Sequence, residues 1–412
     1  MKVSGCLSRK IRYIFLIMIP MRPSPDNNKL RFTHENQRQI MAGKNVMTSK
    51  KRVLTAINLE EPDRVPLFIT ITPQVAEKLS EHLGISTYTH PDSPLSENRI
   101  SYTELLIHLG NDIVGIGACA PENRPTREVE EGVFINEWQI KFRKSGYYTE
   151  MIEHPLARAD SVAEIEDFQL PDPLARGRYD HAQKMVDEYG RDYALCGDVE
   201  ATIFETSWYL VGMEKFLVDL SLRKPYVFAL MDRVMNYSLG VGRELVKLGA
   251  DIIWLGDDFG SQQGMIISPQ LWREVFKERM RFIIGELKKK NQDLKIAYHC
   301  CGSYFPILED LIEVGVDILN ALQPTALDMD TKKIKDIFGS KVSLFGAVDT
   351  QGVLPFGSLA DIEKEVKRVI TEAAGGGGYI LAGAHNIQPD TSVKKVIKIF
   401  EWAKKYGRYP EN

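Results

Sequence analysis

Residues 295–324, KIAYHCCGSYFPILEDLIEVGVDILNALQP, contain the alternation that decides the fold. The apolar run 295–301 predicts a buried strand, residues 306–313 predict a helix, and residues 317–323 predict the next strand. A strand, a helix and a second strand joined by short connections are typical of parallel βα units. This stretch therefore favours an α/β fold with a parallel sheet.

The same alternation continues in both directions from this stretch. It predicts eight strands with helices between most of them, which favours a (β/α)8 TIM barrel. One insertion, Gly132–Met151, alternates and is rich in aromatic residues, and Ser145 and Gly146 mark a turn, so it predicts an antiparallel hairpin. The predicted strands are Arg64–Thr70, Asp112–Ala118, Tyr193–Val199, Asp251–Asp257, Lys295–Cys301, Asp317–Gln323, Val342–Val348 and Tyr379–His385.

Composition and charge exclude a disordered chain, a disulfide-based scaffold and a protein with a basic surface for nucleic acid. Of the 412 residues, 44% are hydrophobic and 26% are charged, as in a globular chain with a large core. A net charge of -4 gives no basic field for nucleic acid. Five cysteines in so long a chain are too few for a disulfide framework and predict a reduced, cytoplasmic setting.

Residues 1–47 differ in composition from residues 48–412. The first 50 residues hold ten Lys or Arg against two Asp or Glu, whereas the remainder is acidic. The apolar run at 13–19 is too short to span a bilayer, which needs about 20 residues, so we expect no stable membrane anchor. We expect a disordered leader or a misassigned start here, with a weak export or membrane-surface segment or a docked arm as alternatives. Residues 48–412 are then one barrel domain.

Polar side chains stand at the carboxyl ends of the predicted strands, where barrel enzymes have their active sites. Asp257, Asp258 and Asp349 are the candidate acids and bases. For the adjacent pair Asp257 and Asp258, helix capping is the alternative, and only one of the two can point into the mouth of the barrel. Candidate substrate-binding residues are Asp198, Asn320, Gln323, Gln351 and Asn386.

The sequence His299-Cys300-Cys301 suggests a metal site. Side chains alternate along a strand, so His299 and Cys301 face the same way and Cys300 faces oppositely. Imidazole and thiolate both suit zinc, and His385 ends another predicted strand at the same rim. Three protein ligands with an open fourth position predict a catalytic zinc site. The alternative is a pair of core cysteines beside a hydrogen-bonded histidine.

From about residue 48 to residue 410 the chain resembles the uroporphyrinogen decarboxylase superfamily, and within it the zinc-dependent corrinoid:thiol methyltransferase branch. The resemblance implies a (β/α)8 barrel in which a His-x-Cys pair and a later cysteine hold zinc. His299 and Cys301 match the pair, and His385 stands where the later cysteine is expected. The matching stretches are EPDRVP (61–66), GADIIWLGDDFGSQQGMIISPQLWREVF (249–276), HCCGSYFPILEDLIEVGVDILNALQP (299–324), GAVDTQGVLPFG (346–357) and GGGGYILAGAHNIQPDTS (375–392).

The resemblance implies methyl transfer between a methylated corrinoid and a small acceptor such as a thiol or tetrahydrofolate. The implied cofactors are zinc and a methylcorrinoid, and the implied partner is a small corrinoid-binding protein; a homodimer is compatible with this reading. The alternatives are a decarboxylase-type lyase acting on a tetrapyrrole or another carboxylate, and a non-catalytic binding barrel. The region after Arg64 has few basic residues before Arg99, which disfavours a substrate with many carboxylates.

Overall fold

The computed structural model describes residues 47–87, 99–123, 126–146 and 148–410. Residues 1–46 lie outside this part of the chain, so the prediction for the leader is untested. Thr48 caps the first helix, because its side chain accepts a hydrogen bond from the backbone N–H of Lys51. None of the helices within the described ranges has the length and hydrophobicity needed to span a membrane.

A parallel sheet of seven strands forms the centre of the molecule, in the order β1-β6-β7-β10-β11-β12-β13. Its strands run close to the predicted ones, and all seven consist almost wholly of buried residues, as expected when both faces of a sheet are covered. The strands are β1 (Ile113–Gly117), β6 (Ala194–Glu200), β7 (Ile252–Gly256), β10 (Lys295–His299), β11 (Ile318–Leu322), β12 (Ser343–Val348) and β13 (Tyr379–Gly383).

The predicted first strand, Arg64–Thr70, is not a regular strand. It is an extended segment with isolated bridges, of which Leu67 pairs with Leu381 in parallel. Its other side accepts a hydrogen bond from the backbone N–H of Asp112, just before β1. The segment therefore bonds to both edges of the sheet and gives a TIM-barrel-like arrangement with seven regular strands. Pro66 lies within this segment and has no N–H to donate to a regular ladder.

Helices cover the outside of the sheet, and α1 covers its amino-terminal end. Val53 and Ile57 of α1 belong to a small core that also contains residues from all seven strands. The helices are α1 (Ser49–Ile57), α2 (Pro73–Leu83), α3 (Thr103–Leu109), α4 (Val162–Asp167), α5 (Asp180–Tyr189), α6 (Phe204–Val211), α7 (Met213–Ser221), α8 (Pro225–Leu248), α9 (Pro269–Val275), α10 (Lys277–Lys288), α11 (Leu308–Glu313), α12 (Thr331–Phe338), α13 (Val353–Phe356), α14 (Leu359–Ala373) and α15 (Val393–Tyr406).

The insertion is larger than the predicted hairpin. It forms an antiparallel sheet of four strands, in the order β2-β3-β4-β5, and the predicted turn joins β4 to β5 through Ser145 and Gly146. Its strands are β2 (Arg127–Glu130), β3 (Val133–Ile135), β4 (Lys141–Ser145) and β5 (Tyr148–Glu153), and a small ribbon after β7 contains β8 (Gly260–Ser261) and β9 (Gly264–Met265).

Candidate metal centre and active site

Three aromatic rings pack together in the small core that residues of all seven strands of the parallel sheet form. Trp254 of β7 lies 5.1 Å from Phe345 of β12 and 6.2 Å from Phe68, measured between ring centroids. Trp254 also stacks on the imidazole of His299, at 5.9 Å and with 25° between the planes. The candidate site around His299 therefore rests on a packed aromatic layer.

Asn320 fixes the orientation and tautomer of His299. His299 Nδ1 lies 2.5 Å from Asn320 Oδ1, while Asn320 Nδ2 donates to the carbonyl oxygen of Phe345. Because this second bond assigns the amide nitrogen, the amide oxygen faces the imidazole, and Nδ1 is the nitrogen that donates. His299 Nε2 is then left with a lone pair, as a metal-binding histidine requires.

Cys301 lies beyond the end of β10, which stops at His299, two residues earlier than predicted. Its backbone N–H donates to Asp258 Oδ1 at 2.7 Å, and its Sγ lies 3.3 Å from His299 Nε2. Cys300 faces elsewhere, because its Sγ accepts the backbone N–H of Phe259. The structure thus brings His299 and Cys301 together, as predicted. The reason differs from the predicted one: Cys301 is positioned by the hydrogen bond from its backbone to Asp258, and not by the alternation of side chains along a strand.

The compact group of possible ligands consists of Asp258, His299 and Cys301, whose donor atoms lie within 4.8 Å of one another. His299 Nε2 is 3.8 Å from Asp258 Oδ1. Tetrahedral zinc with bonds of about 2.0–2.3 Å holds its donor atoms about 3.3–3.8 Å apart. The separations of His299 Nε2 from Cys301 Sγ, 3.3 Å, and from Asp258 Oδ1, 3.8 Å, lie within this range. His385, the expected third ligand, is not in the group; it follows β13, which ends at Gly383, two residues before the predicted end.

The site has many carboxylates and few cations. Arg99 donates to Asp198 and pairs with Glu200, and its guanidinium lies 4.6 Å over the ring of Trp254. Further carboxylates stand close to the compact group, since Glu205 accepts the backbone N–H of Asp258. Such an excess of negative charge favours the binding of a cation.

Burial shifts the pKa values of the groups around the site toward their neutral forms. It lowers the pKa of His299 to about 4, against the attraction of Asp258. It raises the pKa of the Cys301 thiol well above its ordinary value, and nearby Asp258 adds to that rise. It likewise raises the pKa of Glu205, together with the charges of Asp258 and Asp257. A thiolate at Cys301 therefore requires a positive charge beside it.

Two of the predicted acids serve as helix caps. Asp257 is fully buried, and its carboxylate accepts the backbone N–H groups of Ile203 and Glu205 at the start of α6. Asp349 accepts three backbone N–H groups at the start of α13, among them that of Val353. Only Asp258 of the adjacent pair belongs to the compact group, although both residues lie after β7, which ends at Gly256. The contacts of Asp257 and Asp349 thus give no support to the expected catalytic roles.

The predicted substrate-binding residues divide into two sets. Asp198 bonds to Arg99 and Asn320 to His299, so both support the site. Gln323 Oε1 accepts the backbone N–H of Gly302, next to Cys301. Gln351 lies exposed in the loop after β12, and Asn386 follows His385 in the loop after β13.

Arg99 and Glu205 are the residues that the sequence analysis missed. Arg99 lies more than a hundred residues before β7 and β10 in the chain, so no local pattern connects it with them. Glu205 did leave a signal, since it is an acidic residue among the large apolar and aromatic side chains of FETSWYLV in α6, which is buried throughout. A carboxylate within a wholly buried helix is unusual and points to a special role.

Comparison with known proteins identifies the family. The family described as "Uroporphyrinogen decarboxylase (URO-D)" matches residues 143–406, more than half of the chain. The chain belongs to this family. It is 24% identical over 261 residues to a uroporphyrinogen decarboxylase of Geobacter sulfurreducens, a match that covers 61% of this chain and 71% of that protein. A relative of the same name from Geobacter metallireducens is 26% identical over 180 residues, 43% of this chain and 48% of its own length.

A solved structure of the same fold has a different name. A methyltransferase from Methanosarcina mazei superposes with a TM-score of 0.65 and 21% sequence identity, covering 87% of this chain and 99% of that one. At this identity the likeness shows a common fold. Members of the uroporphyrinogen decarboxylase family and this methyltransferase therefore share one scaffold, and the residues of the site must decide the chemistry.

Proposed function

We propose that this chain catalyses zinc-dependent methyl transfer between a methylated corrinoid, presented by a small corrinoid-binding protein, and a small acceptor such as a thiol or tetrahydrofolate. The observation that supports this most is the compact group of Asp258, His299 and Cys301, in which His299 Nε2 lies 3.3 Å from Cys301 Sγ and 3.8 Å from Asp258 Oδ1. Decarboxylation of a tetrapyrrole does not need a thiol beside an imidazole.

In this proposal Asp258 replaces His385 as the third protein ligand. His299 binds through Nε2, because Asn320 occupies Nδ1, and Cys301 binds through Sγ. Three protein ligands leave one position for the substrate, which is the arrangement of catalytic zinc sites. The Cys301 thiolate and the Asp258 carboxylate would balance the two positive charges of the zinc ion.

Zinc bound there would hold an acceptor thiol as thiolate at neutral pH, because coordination to a cation displaces the proton. Transfer forms a bond between sulfur and the methyl carbon and breaks the bond between that carbon and cobalt, whose electron pair stays on cobalt. The proton of the thiol passes to solvent. Asn320 and Asp258 orient the ligands, and the aromatic layer under His299 excludes water from below.

We also propose that residues 48–412 form a single (β/α)8 barrel in which residues 64–72 act as the eighth strand. The backbone hydrogen bonds between this segment and Leu381 and Asp112 support this proposal.

We further propose a cytoplasmic setting for the protein, which the small number of cysteines supports.

A decarboxylase-type lyase is the second candidate. The shared name of the curated relatives favours it, as does Arg99, a cation at the carboxyl ends of the strands. Arginine pairs with carboxylates in a fixed fork, so a substrate with many carboxylates calls for several such residues. Arg99 is already paired with Asp198 and Glu200, which disfavours this candidate.

The test is activity with each substrate class, measured on the full chain. Methylcobalamin with a thiol or tetrahydrofolate should give slow but measurable demethylation, seen in the visible spectrum of the corrinoid, and uroporphyrinogen should give no turnover. Cys301→Ala should abolish the transfer, whereas Cys300→Ala, whose sulfur faces Phe259, should retain it. Efficient porphyrinogen decarboxylation without methyl transfer would contradict the proposal.

A further inference from the structure

A series of three hydrogen bonds joins helix α6 to two of the candidate metal ligands. The hydroxyl of Tyr209 donates to Glu205 Oε1 at 2.7 Å, and Glu205 Oε2 accepts the backbone N–H of Asp258 at 3.0 Å. Asp258 Oδ1 in turn accepts the backbone N–H of Cys301 at 2.7 Å. The positions of Asp258 and Cys301 are therefore linked to each other and, through Glu205, to α6.

The ladder of the parallel sheet does not extend to these two ligands. β7 ends at Gly256 and β10 ends at His299, so Asp258 and Cys301 both lie in the connections beyond the strands. Residues in connections are held less precisely than residues in strands unless further bonds fix them. The hydrogen bonds of the series provide such bonds at both ligand positions.

Helix α6 is a firm support for Glu205, because it is bonded at both ends. At its start, the carboxylate of Asp257 accepts the backbone N–H groups of Ile203 and Glu205. Near its end, His154 Nδ1 donates to the carbonyl oxygen of Tyr209 at 2.6 Å. All residues of the helix are buried. The carboxyl group of Glu205 therefore has little freedom to move.

Stability alone does not account for a carboxyl group at this position. Glu205 is 2% exposed, and the burial of a carboxyl group costs free energy that its hydrogen bonds must offset. An apolar side chain of similar volume would pack in α6 as well or better. What Glu205 offers is two acceptor oxygens at once, one for Tyr209 and one for Asp258. This favours a role in holding Asp258.

We propose that Glu205 is a positioning residue of the metal centre. Supported by Tyr209, it fixes the backbone of Asp258 and thereby the position of the Asp258 carboxylate relative to the Cys301 thiol. This inference rests on the proposed function and adds to it the residues that arrange its ligands. Partners that hold ligands in place normally contribute to metal affinity. Glu205 is not itself a ligand, since both of its oxygens accept from the protein.

The zinc affinities of full-length variants, measured by competition with a chelator, test the inference. Glu205→Leu removes both acceptor oxygens at similar volume and should weaken zinc binding about 10- to 100-fold. Tyr209→Phe removes the hydroxyl alone and should weaken it several-fold. Glu205→Gln should retain most of the affinity, because the amide oxygen can accept from Asp258 while the amide nitrogen donates to the hydroxyl oxygen of Tyr209.

Cobalt(II), bound in place of zinc, reports the arrangement of the ligands in its visible spectrum. The natural chain and Glu205→Gln should both show the charge-transfer absorption of a bond between thiolate and cobalt. In Glu205→Leu this absorption should be weaker or shifted, because Asp258 no longer holds the backbone of Cys301 in the same place. A loss of stability alone would not change this spectrum.

Tyr226→Phe is the matched control. The hydroxyl of the buried Tyr226 also donates to a carboxylate, that of Asp219, between α8 and α7. Its removal should lower the free energy of unfolding and leave the zinc affinity and the cobalt spectrum unchanged.

Two results overturn the inference: zinc affinity as high in Glu205→Leu as in the natural chain, or as low in Glu205→Gln as in Glu205→Leu. If Glu205→Leu does not fold, the two tyrosine variants decide the question. Equal zinc affinities in Tyr209→Phe and Tyr226→Phe then overturn the inference, and a lower affinity in Tyr209→Phe alone supports it.

The failure of this inference can be told apart from the failure of the proposed function. A natural chain that binds zinc and transfers the methyl group, with unchanged zinc affinity in Glu205→Leu, contradicts the inference alone. A natural chain that binds added zinc but transfers no methyl group contradicts the proposed function alone, provided that the variants lower the affinity as expected. A chain that binds neither added zinc nor added cobalt contradicts both.

Discussion

The two ends of the parallel sheet differ in how their charged side chains are paired. At the amino-terminal end, Arg52 and Arg64 alternate with Asp63 and Asp112, with nitrogen-to-oxygen distances of 2.6–2.8 Å. At the carboxyl-terminal end a larger set of carboxylates shares one arginine, and an imidazole and a thiol stand among them. In the first cluster two arginines balance two carboxylates, whereas in the second the carboxylates outnumber the single arginine.

The pKa values of carboxyl groups at the two ends differ accordingly. Burial raises the pKa of Asp63, but the hydrogen bonds and charge of Arg52 outweigh it and leave the pKa below its ordinary value. At the other end burial raises the pKa of Asp257 to about 7, although backbone N–H groups of α6 oppose the rise. The Asp63 carboxyl at the amino end is thus held in its charged form by Arg52, whereas burial at the carboxyl end favours the neutral form of Asp257.

The largest effect is expected at the amino-terminal end, for Asp112→Ala. Asp112 accepts from Arg52, Arg64 and the backbone of Leu67, so its removal leaves buried charges without a partner. We expect a loss of about 3–5 kcal/mol in the free energy of unfolding, measured with urea. Glu286→Ala, which removes the half-buried partner of the exposed side chains of Arg243 and Lys289, should leave the unfolding midpoint almost unchanged. A small effect for Asp112→Ala would show that the cluster is not structural.

The pH dependence of stability should distinguish Asp257 from Asp63. Because the folded pKa of Asp257 exceeds the unfolded value of about 3.9, its contribution to stability is complete below about pH 4 and is lost as pH rises through 7. In metal-free protein, Asp257→Asn should therefore gain stability relative to the natural chain between pH 5 and 8, by no more than about 4 kcal/mol. Asp63, whose folded pKa is lowered, contributes throughout this range.

Urea unfolding at several pH values measures both contributions. Asp63→Asn should destabilise the protein by the same amount at pH 5 and pH 8, because its contribution is lost only in more acidic solution. A difference between Asp257→Asn and the natural chain that does not change with pH would contradict the assignment of a raised pKa to Asp257.

A smaller effect is expected for Asn320→Ala, which removes the partner of His299 Nδ1. Loss of such a partner typically weakens metal binding about 10- to 100-fold, because the tautomer and ring orientation are no longer fixed. Competition with a zinc chelator measures the affinity. Asn111→Ala removes another buried amide, bonded to the backbone of Ile69 near the amino end, and should lower stability while zinc affinity is retained. Equal zinc affinities in the two variants would exclude a role for Asn320 in orienting His299.

The smallest effect is expected for the deletion of residues 1–46. Thr48 already caps α1 from within the remaining chain, so the amino-terminal cluster should stay intact. We expect the melting temperature and the methyl transfer to be unchanged. Aggregation or a much lower melting temperature would show that these residues pack on the barrel.

The sequence predicts the parts of the site that depend on local periodicity. Alternation along a strand predicts that His299 and Cys301 share a side and that only one of Asp257 and Asp258 faces the mouth. His299 and Cys301 do lie together, and of the adjacent pair only Asp258 is in the compact group, although Cys301, Asp257 and Asp258 all lie beyond the strand ends. Alternation does not predict that β10 stops at His299, since a hydrogen bond from Cys301 to Asp258, far away in sequence, decides the geometry there. Local patterns also fail to predict that the segment containing Leu67 is irregular, because its backbone is held by hydrogen bonds to both edges of the sheet.

The identity of the third ligand cannot be predicted from local sequence patterns. Residue spacing places His385 and Asp258 at the same rim but gives no distance between either one and Cys301. Only the folded chain brings Asp258 into the compact group and adds Arg99 and Glu205 around it. Long-range neighbours of this kind depend on how all the strands are packed together.

The central claim is that the carboxyl end of the sheet holds zinc through His299, Cys301 and Asp258. Metal analysis with X-ray absorption at the zinc edge, on full-length protein purified without oxygen, tests it most directly. We predict about one zinc per chain with one sulfur ligand and the remaining ligands nitrogen or oxygen. Asp258→Ala should lose most of the zinc, and His385→Ala should keep it. A protein without metal, or zinc bound by two sulfur atoms, would contradict the account.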